Sequence, residues 1–405
     1  MAAFQNEFPL AEGQILNLHD LEHGLENLKR LPTADACIRI EPSGTDRPSE
    51  SDVAVEWRQQ LLPFRVSLNL DDSGSKATGK YQGALALAAD NLLGLSDMFY
   101  VSYGRGLGHE AKPDETLEGR PDSGSNSYSF HYSVPAGNGS GRRNTATTAT
   151  VRLLQNYSYS GKSRSSSFGT DYTFYRDARR RSSAGFKLWQ RETQTYIDDA
   201  EIDVQHRRTA GWSAHFDHRE YIGRSTLTLG LDYKRGTGRN HSLSAPEEAF
   251  GGGTSRMQTL TADIGAGISF CIGGQTFAYD TAFRRQWNFT PLTLQEQMSL
   301  GRRYSIRGFD GEQTLLGERG WQWCNTLGWQ YLPSHQVYLA ADSGGVGGGR
   351  NTGASSLSGG AVGLKGRLKA GGVLSYDVFA GRPFRKPDYL QTASPVYGFN
   401  LNYSF

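Results

Sequence analysis

The chain has 405 residues and a formal net charge of +2, with 50 Gly, 20 Tyr and 19 Phe, and its mean hydropathy is −0.55. That length allows one large barrel or two to three soluble domains, and the near-neutral charge gives no case for nucleic acid as a partner. No stretch reaches the 18 or more apolar residues of a transmembrane helix, since the longest, from Gly83 to Leu95, is broken by Asp90 and Asn91.

The first sixty residues differ from the rest. Leu18, Leu21, Leu25 and Leu28 recur at helical spacing, Asn17 can cap the start and Leu31-Pro32 ends the run. Two strand candidates follow, around 37–41 and 53–57, joined by a Pro/Ser/Gly/Asp turn region. One helix and two strands are too few to close a core, so residues 1–60 are expected to be the back part of a small α/β domain.

From Pro63 onward the pattern becomes repeated amphipathic strand. Phe64, Val66, Leu68 and Leu70 alternate with Arg65, Ser67 and Asn69; Leu227, Leu229, Leu231 and Tyr233 alternate with Thr226, Thr228, Gly230 and Asp232. The chain ends in the same way, with Tyr397, Phe399, Leu401, Tyr403 and Phe405 separated by Gly398, Asn400, Asn402 and Ser404. Successive strand side chains point to opposite faces, so one face is apolar and the other small or polar. A strand with lipid outside and water inside reads this way, and diluted alternation explains the low hydropathy. Counting candidates gives about 16 strands, an even number as single-chain outer-membrane barrels require.

The connections sort by parity. With a first strand rising from the periplasm, the long connections (105–123, 235–253, 288–317, 343–357 and 382–395) fall mostly outside, and the short ones (91–96, 220–224, 272–275 and 331–335) fall in the periplasm. The third outer connection is placed at 161–167, and the periplasmic one at 135–143 is longer than its class. The expected fold is therefore all-β: an antiparallel transmembrane β-barrel over 61–405, preceded by the partial α/β domain. A barrel must first cross the inner membrane, yet Met1–Leu10 has neither the basic start nor the apolar run of a signal peptide. The sequence is read as truncated or as an incomplete reading frame.

Two segments carry function. The longest outer connection contains Leu300-Gly301-Arg302-Arg303-Tyr304-Ser305-Ile306-Arg307-Gly308-Phe309, and two strands later comes Asp342-Ser343-Gly344-Gly345-Val346. In a loop drawn into the lumen, Arg307 would meet Asp342, which shares a strand face with Tyr338 and Ala340. The two could form a bidentate pair pinning the loop to the wall. Gly308 would permit a tight turn, and Phe309 would pack on the wall.

Ile306, Arg307, Gly308 and Phe309 resemble the loop-six V-R-G-[FY] motif of two-partner secretion transporters, the TpsB class, in the POTRA–barrel superfamily that includes BamA. Asp342, Gly344 and Val346 are similar to that family's D-x-G-x-V strand motif. Asp90-Asn91-Leu92-Leu93-Gly94-Leu95-Ser96-Asp97, residues 127–134, 245–256 and 317–321 also resemble family segments. Arg302, Ile306 and Cys324-Asn325-Thr326 depart from the pattern. The resemblance implies that residues 1–60 end the second POTRA domain and that the preceding family parts lie before Met1 or are missing. It implies an outer-membrane transporter of a Gram-negative bacterium, exporting a large unfolded exoprotein of the TpsA class without ATP. The POTRA region would recognise that partner's N-terminal secretion domain, the barrel assembly machinery would insert the terminal strand, and lipid would surround the wall. Ser67, Asn69, Asn400 and Asn402 would line the route. Three rivals stand beside this reading: a BamA-like insertase, a passive porin and a barrel enzyme.

No catalytic residue, cofactor or metal is expected. Cys37, Cys271 and Cys324 make no ligand pattern, and their odd number excludes a full set of intramolecular disulfides. His215 and His218 should point to opposite faces and cannot share an ion, whereas His215 and Asp217 share a face and could mimic a protease dyad. The basic run 176–181 reads as a solvated periplasmic turn, and Gly344–Gly349 with Arg350 lacks the Lys-Ser/Thr ending of a phosphate loop.

Overall fold

Alternation of period two becomes antiparallel strand over most of the computed structural model. It describes residues 13, 15–16, 21, 24–25, 28–44, 50–75, 79–107, 124–136, 139–154, 157–197, 200–348 and 355–405. Leu18 and Asn17 lie outside these. The described positions Leu21, Gly24, Leu25, Leu28 and Lys29 are helical, and Leu21, Leu28 and Leu31 are buried. They precede a hairpin of β1 (Ala34–Pro42) and β2 (Ser51–Gln59), registered from Ala34↔Gln59 to Pro42↔Ser51.

The wall begins with β3 (Phe64–Asp71), β4 (Tyr81–Asp90), β5 (Met98–Leu107), β6 (Gly124–Ala136) and β7 (Gly139–Leu154). It continues through β8 (Tyr157–Arg176), β9 (Arg180–Ile197), a short β10 (Ala200–Glu201), β11 (Arg207–Ile222), β12 (Ser225–Thr237), β13 (Gln258–Ile272) and β14 (Gln275–Asn288). A small pair, β15 (Met298–Leu300) and β16 (Leu315–Gly317), leaves the wall before β17 (Arg319–Leu332), β18 (His335–Gly347), β19 (Ser355–Lys369), β20 (Val373–Arg385) and β21 (Val396–Ser404) complete it. These form a closed antiparallel barrel of 16 strands, with β10 appended to β9. Closure leaves no sheet edge, which lipid would not tolerate.

The wall is uneven. The strand β8 runs 20 residues, whereas β3 has 8. The seam between β21 and β3 is short, with five registered pairs from Asn400↔Asp71 to Ser404↔Ser67. Mutual backbone bonds between Val66 and Phe405, at 3.0 and 3.1 Å, fasten its periplasmic end. Outward side chains make apolar contacts between strands: Phe186 stacks on Trp212 at 5.8 Å, and Trp212 meets Tyr233 at 5.6 Å.

Three expectations are corrected. Residues 161–167 are no connection, because they lie inside β8; β7 and β8 are joined at 155–156, outside the described residues. The strand extends past the membrane, where both faces are wet and alternation vanishes. The connection at 135–143 is mostly strand, since β6 runs to Ala136 and β7 starts at Gly139. The segment 343–357 is likewise largely strand, and residues 349–354 lie outside the described ones.

A buried carboxylate joins the N-terminal segment to the wall. Asp90, at the periplasmic end of β4, is fully buried. It accepts from Thr33 N and Oγ1 (3.3 and 2.9 Å) and from Arg65 Nε and Nη2 (3.2 and 2.9 Å). Gln59 donates to the Asp90 carbonyl at 3.1 Å, and Arg30 Nη2 reaches the carbonyls of Ser96 and Ser133. A buried carboxylate needs such partners.

Candidate functional site: a loop folded into the lumen

The connection between β14 and β17 folds back into the barrel. The paired β15 and β16 gather its base, with Met298↔Gly317 and Leu300↔Leu315 in register. Leu300, Ile306, Phe309 and Leu315 then pack against Val346 of β18, Leu357 of β19 and Leu390 of the last outer loop. Leu300, Ile306 and Phe309 are wholly buried. Each such side chain contributes about 1.5–3 kcal/mol by leaving water, so this small apolar core holds the loop inside an otherwise polar lumen.

Arg307 is the polar anchor of that core. Its Nε and Nη2 donate to the two carboxylate oxygens of Asp342 at 2.7 and 2.6 Å, and its backbone N–H donates to Asp342 Oδ2 at 2.9 Å. The guanidinium also donates to Thr326 Oγ1 (2.9 Å) and the Asn325 carbonyl (3.1 Å). Asn325 N–H returns a bond to Asp342 Oδ1 at 3.2 Å. The side chains are 16% and 1% exposed. This planar fork satisfies geometry that an ammonium cannot match.

Backbone proximity requires glycine at two positions. Gly308 has φ +107, and a Cβ there would stand 2.3 Å from the Arg382 carbonyl. A Cβ on Gly344 would meet Leu300 Cδ1 and the Trp321 carbonyl, each at 2.9 Å. Asp342, Gly344 and Val346 thus supply the anchor, the clearance and the apolar contact along one strand. On the opposite face of β18, Leu339 is 61% exposed.

Sequence reasoning assigned no role to a second pair. The Arg303 guanidinium contacts the Asp72 carboxylate, and both side chains are buried. Elsewhere Lys234 Nζ holds Glu296 Oε2 at 2.6 Å, and Gln322 Nε2 donates to the Ser305 carbonyl at 2.7 Å. Below the loop, towards the periplasm, a cavity of about 680 Å³ is lined by Tyr304, His335, Lys365, Asp377 and Asn400 among others.

The terminal strand sits as its alternation requires. Leu401 pairs with Tyr376 and Leu70, and Tyr403 with Leu374 and Leu68; Tyr397 and Phe405 are the most exposed, and Phe399 faces Tyr81 at 6.1 Å. Inside, Asn402 Nδ2 donates to Ser67 Oγ across the seam at 3.0 Å.

His215 and His218 do not converge. His215 Nε2 lies 2.6 Å from Asp171 Oδ1 and 3.9 Å from Asp217, while His218 Nδ1 meets Ser182 Oγ at 2.8 Å. Asp171 comes from β8, which lies beyond β9 from β11, and the two registers that align it with His215 are invisible in sequence. No group of three or more His, Cys, Asp or Glu suited to a metal ion occurs among the described residues. The segment Gly344–Gly347 is part of β18 and forms no phosphate loop.

Residues 49–366 match the family described as haemolysin secretion/activation protein ShlB/FhaC/HecB, and residues 2–42 match the POTRA domain. The outer membrane transporter CdiB-2 of Burkholderia pseudomallei (strain 1026b) is 32% identical over 417 aligned positions, covering 100% of this chain and 69% of that protein. CdiB from Acinetobacter baumannii superposes with a TM-score of 0.85 at 27% identity, covering 100% of this chain and 71% of its own. BamA from Haemophilus ducreyi lacking POTRA domains 1–3 shares the fold alone, with a TM-score of 0.58 at 12% identity over 100% of this chain and 82% of that one.

Proposed function

Because this chain belongs to the haemolysin secretion/activation (ShlB/FhaC/HecB) family of outer-membrane transporters, we propose that its lumen conducts one large exoprotein outward as an unfolded chain. The observation that carries this reading is the sixth outer loop, held inside the lumen by Arg307 and Asp342. A barrel of this strand number encloses an aqueous channel, and a loop docked by one ion pair and a small apolar core is a removable stopper. An unfolded chain needs little more width than such a loop occupies.

The partner is an exoprotein of the contact-dependent-inhibition or haemolysin type. Its N-terminal secretion domain is recognised by the POTRA region, residues 1–60, which is the end of the second such domain; residues 61–405 form the barrel. Transport uses no ATP, and folding outside makes passage irreversible. Lipid surrounds the wall, and the barrel assembly machinery inserts the terminal strand through Tyr397, Phe399, Leu401, Tyr403 and Phe405. The lumen performs no chemistry. A passive porin is disfavoured because the loop held in the lumen is the sixth, whereas a porin's constriction loop is normally the third.

Photo-cross-linkers at Asn400, Asn402 and Lys365 test the route in cells producing the exoprotein. Adducts with the exoprotein at all three positions are expected. No exoprotein adduct at any of the three, with adducts to barrel precursors instead, would identify an insertase.

A further inference from the structure

The lipid-facing surface of β12, β13, β14 and β17 carries charge at one end only. Every second residue points outward over 227–235, 258–270, 277–287 and 319–329, and Leu231, Ile264, Trp321 and Trp323 are exposed there. These outward positions hold three arginines, Arg235, Arg285 and Arg319, but no lysine and no carboxylate. All three lie towards the outer ends of their strands. They are exposed, and none has a carboxylate partner among the described residues. The neighbouring Arg284 shows the contrast: it points into the lumen, where its Nε and Nη2 donate to Asp263 at 2.6 and 3.2 Å.

The depth of these cations follows from the strand. Phe277, stacked on Phe270 at 5.7 Å and paired with Trp329, marks the periplasmic edge of the apolar band. Arg285 lies eight residues further along β14. At about 3.3 Å per residue and a tilt of about 40°, that is a rise of about 20 Å within a band about 25 Å tall. Arg285 therefore sits in the outer part of the band, in register with Ala262 and Trp321. Its guanidinium lies over Trp287, 4.9 Å from the ring centroid, which occupies one face and leaves the N–H edge free. Arg319 stands one residue beyond the Gly320↔Gln286 pair, beside Trp287. Arg235 is the next outward position after Tyr233, whose ring meets Phe289 at 6.3 Å. Three strand spacings separate Arg235 from Arg319 laterally by about 14 Å.

An arginine facing lipid is costly unless it reaches an anion or water. Planar forks match phosphate bidentately, and the exposed Leu231, Ile264 and Trp323 offer apolar surface to acyl chains. We propose that this surface is a binding site for lipid A, the phosphorylated disaccharide lipid of the outer leaflet, with Arg235, Arg285 and Arg319 binding its phosphates. Arg285, the deepest of the three, takes one phosphate against Trp287, and Arg235 and Arg319 frame the headgroup above it. The site lies on β14 and β17, the strands that carry the two feet of the sixth loop. Binding requires neither movement of that loop nor a cargo, so its test is independent of the export reading.

The experiment titrates the purified full chain in detergent with diphosphoryl lipid A and reads adducts by native mass spectrometry. One saturable site is expected. Arg285→Ala should weaken it about tenfold, as loss of one charge-assisted contact, and Arg285→Lys nearly as much, because an ammonium lacks the fork. Combining Arg235→Ala, Arg285→Ala and Arg319→Ala should abolish saturable binding, whereas Arg180→Ala at the periplasmic end should bind like wild type. Dephosphorylated lipid A should bind wild type no better than the diphosphoryl form binds the triple variant. Neither phosphatidylglycerol nor inorganic phosphate in large excess should displace lipid A. Wild-type affinity in Arg285→Ala, or in Arg285→Lys, would overturn the assignment, the latter because a point charge would then suffice. Displacement by inorganic phosphate would reduce the surface to an anion site, and displacement by phosphatidylglycerol to a general anionic-lipid surface; either refutes recognition of lipid A. Should Arg285→Ala lose the heat-modifiable barrel, Arg285→Gln decides alone, and unchanged affinity there refutes the site.

Discussion

Replacing Arg307 by alanine strips Asp342 of the two guanidinium bonds at 2.6 and 2.7 Å, leaving it with backbone N–H groups at 2.9 and 3.2 Å. Charge-assisted bonds contribute about 1.5–3 kcal/mol each, and breaking a fully buried pair costs about 3–5 kcal/mol. Asp342 is buried but Arg307 retains some exposure, so the loss is placed near 3 kcal/mol, at the lower end of that range. That corresponds to a shift of about 100-fold against the docked loop. Hydrogen exchange of residues 298–317 in detergent reports docking directly, and exoprotein secretion is measured in parallel. Arg307→Ala and Asp342→Ala should each deprotect the loop and impair secretion, with barrel insertion largely intact. The double variant should be no worse than either single one, because both remove one interaction. Lysine at 307 should rescue poorly, lacking the fork. Unchanged protection in both single variants, or strictly additive defects, would refute the reasoning.

Gly308→Ala should expel the loop as strongly as Arg307→Ala, since its Cβ would stand 2.3 Å from the Arg382 carbonyl; exchange over 298–317 checks this, and native-like protection would contradict it. On the terminal strand, Phe405→Ala and Tyr403→Ala should lower outer-membrane levels, the latter also losing the hydroxyl bond to the Ala370 carbonyl at 2.9 Å. Leu401→Arg should be worse, at about 2–4 kcal/mol for a cation at mid-membrane, and equal levels for all three would show that the apolar face is misassigned. Asp90→Ala should raise protease cutting at 59–63 at least roughly tenfold while the barrel stays heat-modifiable; no change would mean that the joint does not depend on this carboxylate. His215→Ala should leave secretion at the wild-type level, and abolition of a proteolytic activity would revive the enzyme reading.

Much of the wall was legible because lipid outside and water inside impose a period of two on strands such as β3, β12 and β21. Where a strand leaves that environment the signal ends, which is why 161–167 within β8 read as a connection. Arg307 and Asp342 could be paired in advance because a loop motif and a strand motif each carried a charge of opposite sign. Arg303 stood in the same loop segment, but Asp72 lies 231 residues away and follows a strand with no mark of its own. Only the seam register places them together. The His215 environment failed for a similar reason: face parity separated His218, but Asp171 arrives from another strand whose alignment no local pattern specifies.

The uneven wall has a consequence for the membrane and for the shape of the outer mouth. At about 3.3 Å per residue, the 20 residues of β8 and the 8 of β3 span about 66 and 26 Å. Tilted by about 40°, they rise about 50 and 20 Å, against an apolar band about 25 Å tall. On the β3 flank the bilayer must thin to meet the protein, concentrating hydrophobic mismatch beside the seam. On the β8 flank a parapet stands well above the headgroups, so the outer mouth is walled on one side and open towards the other.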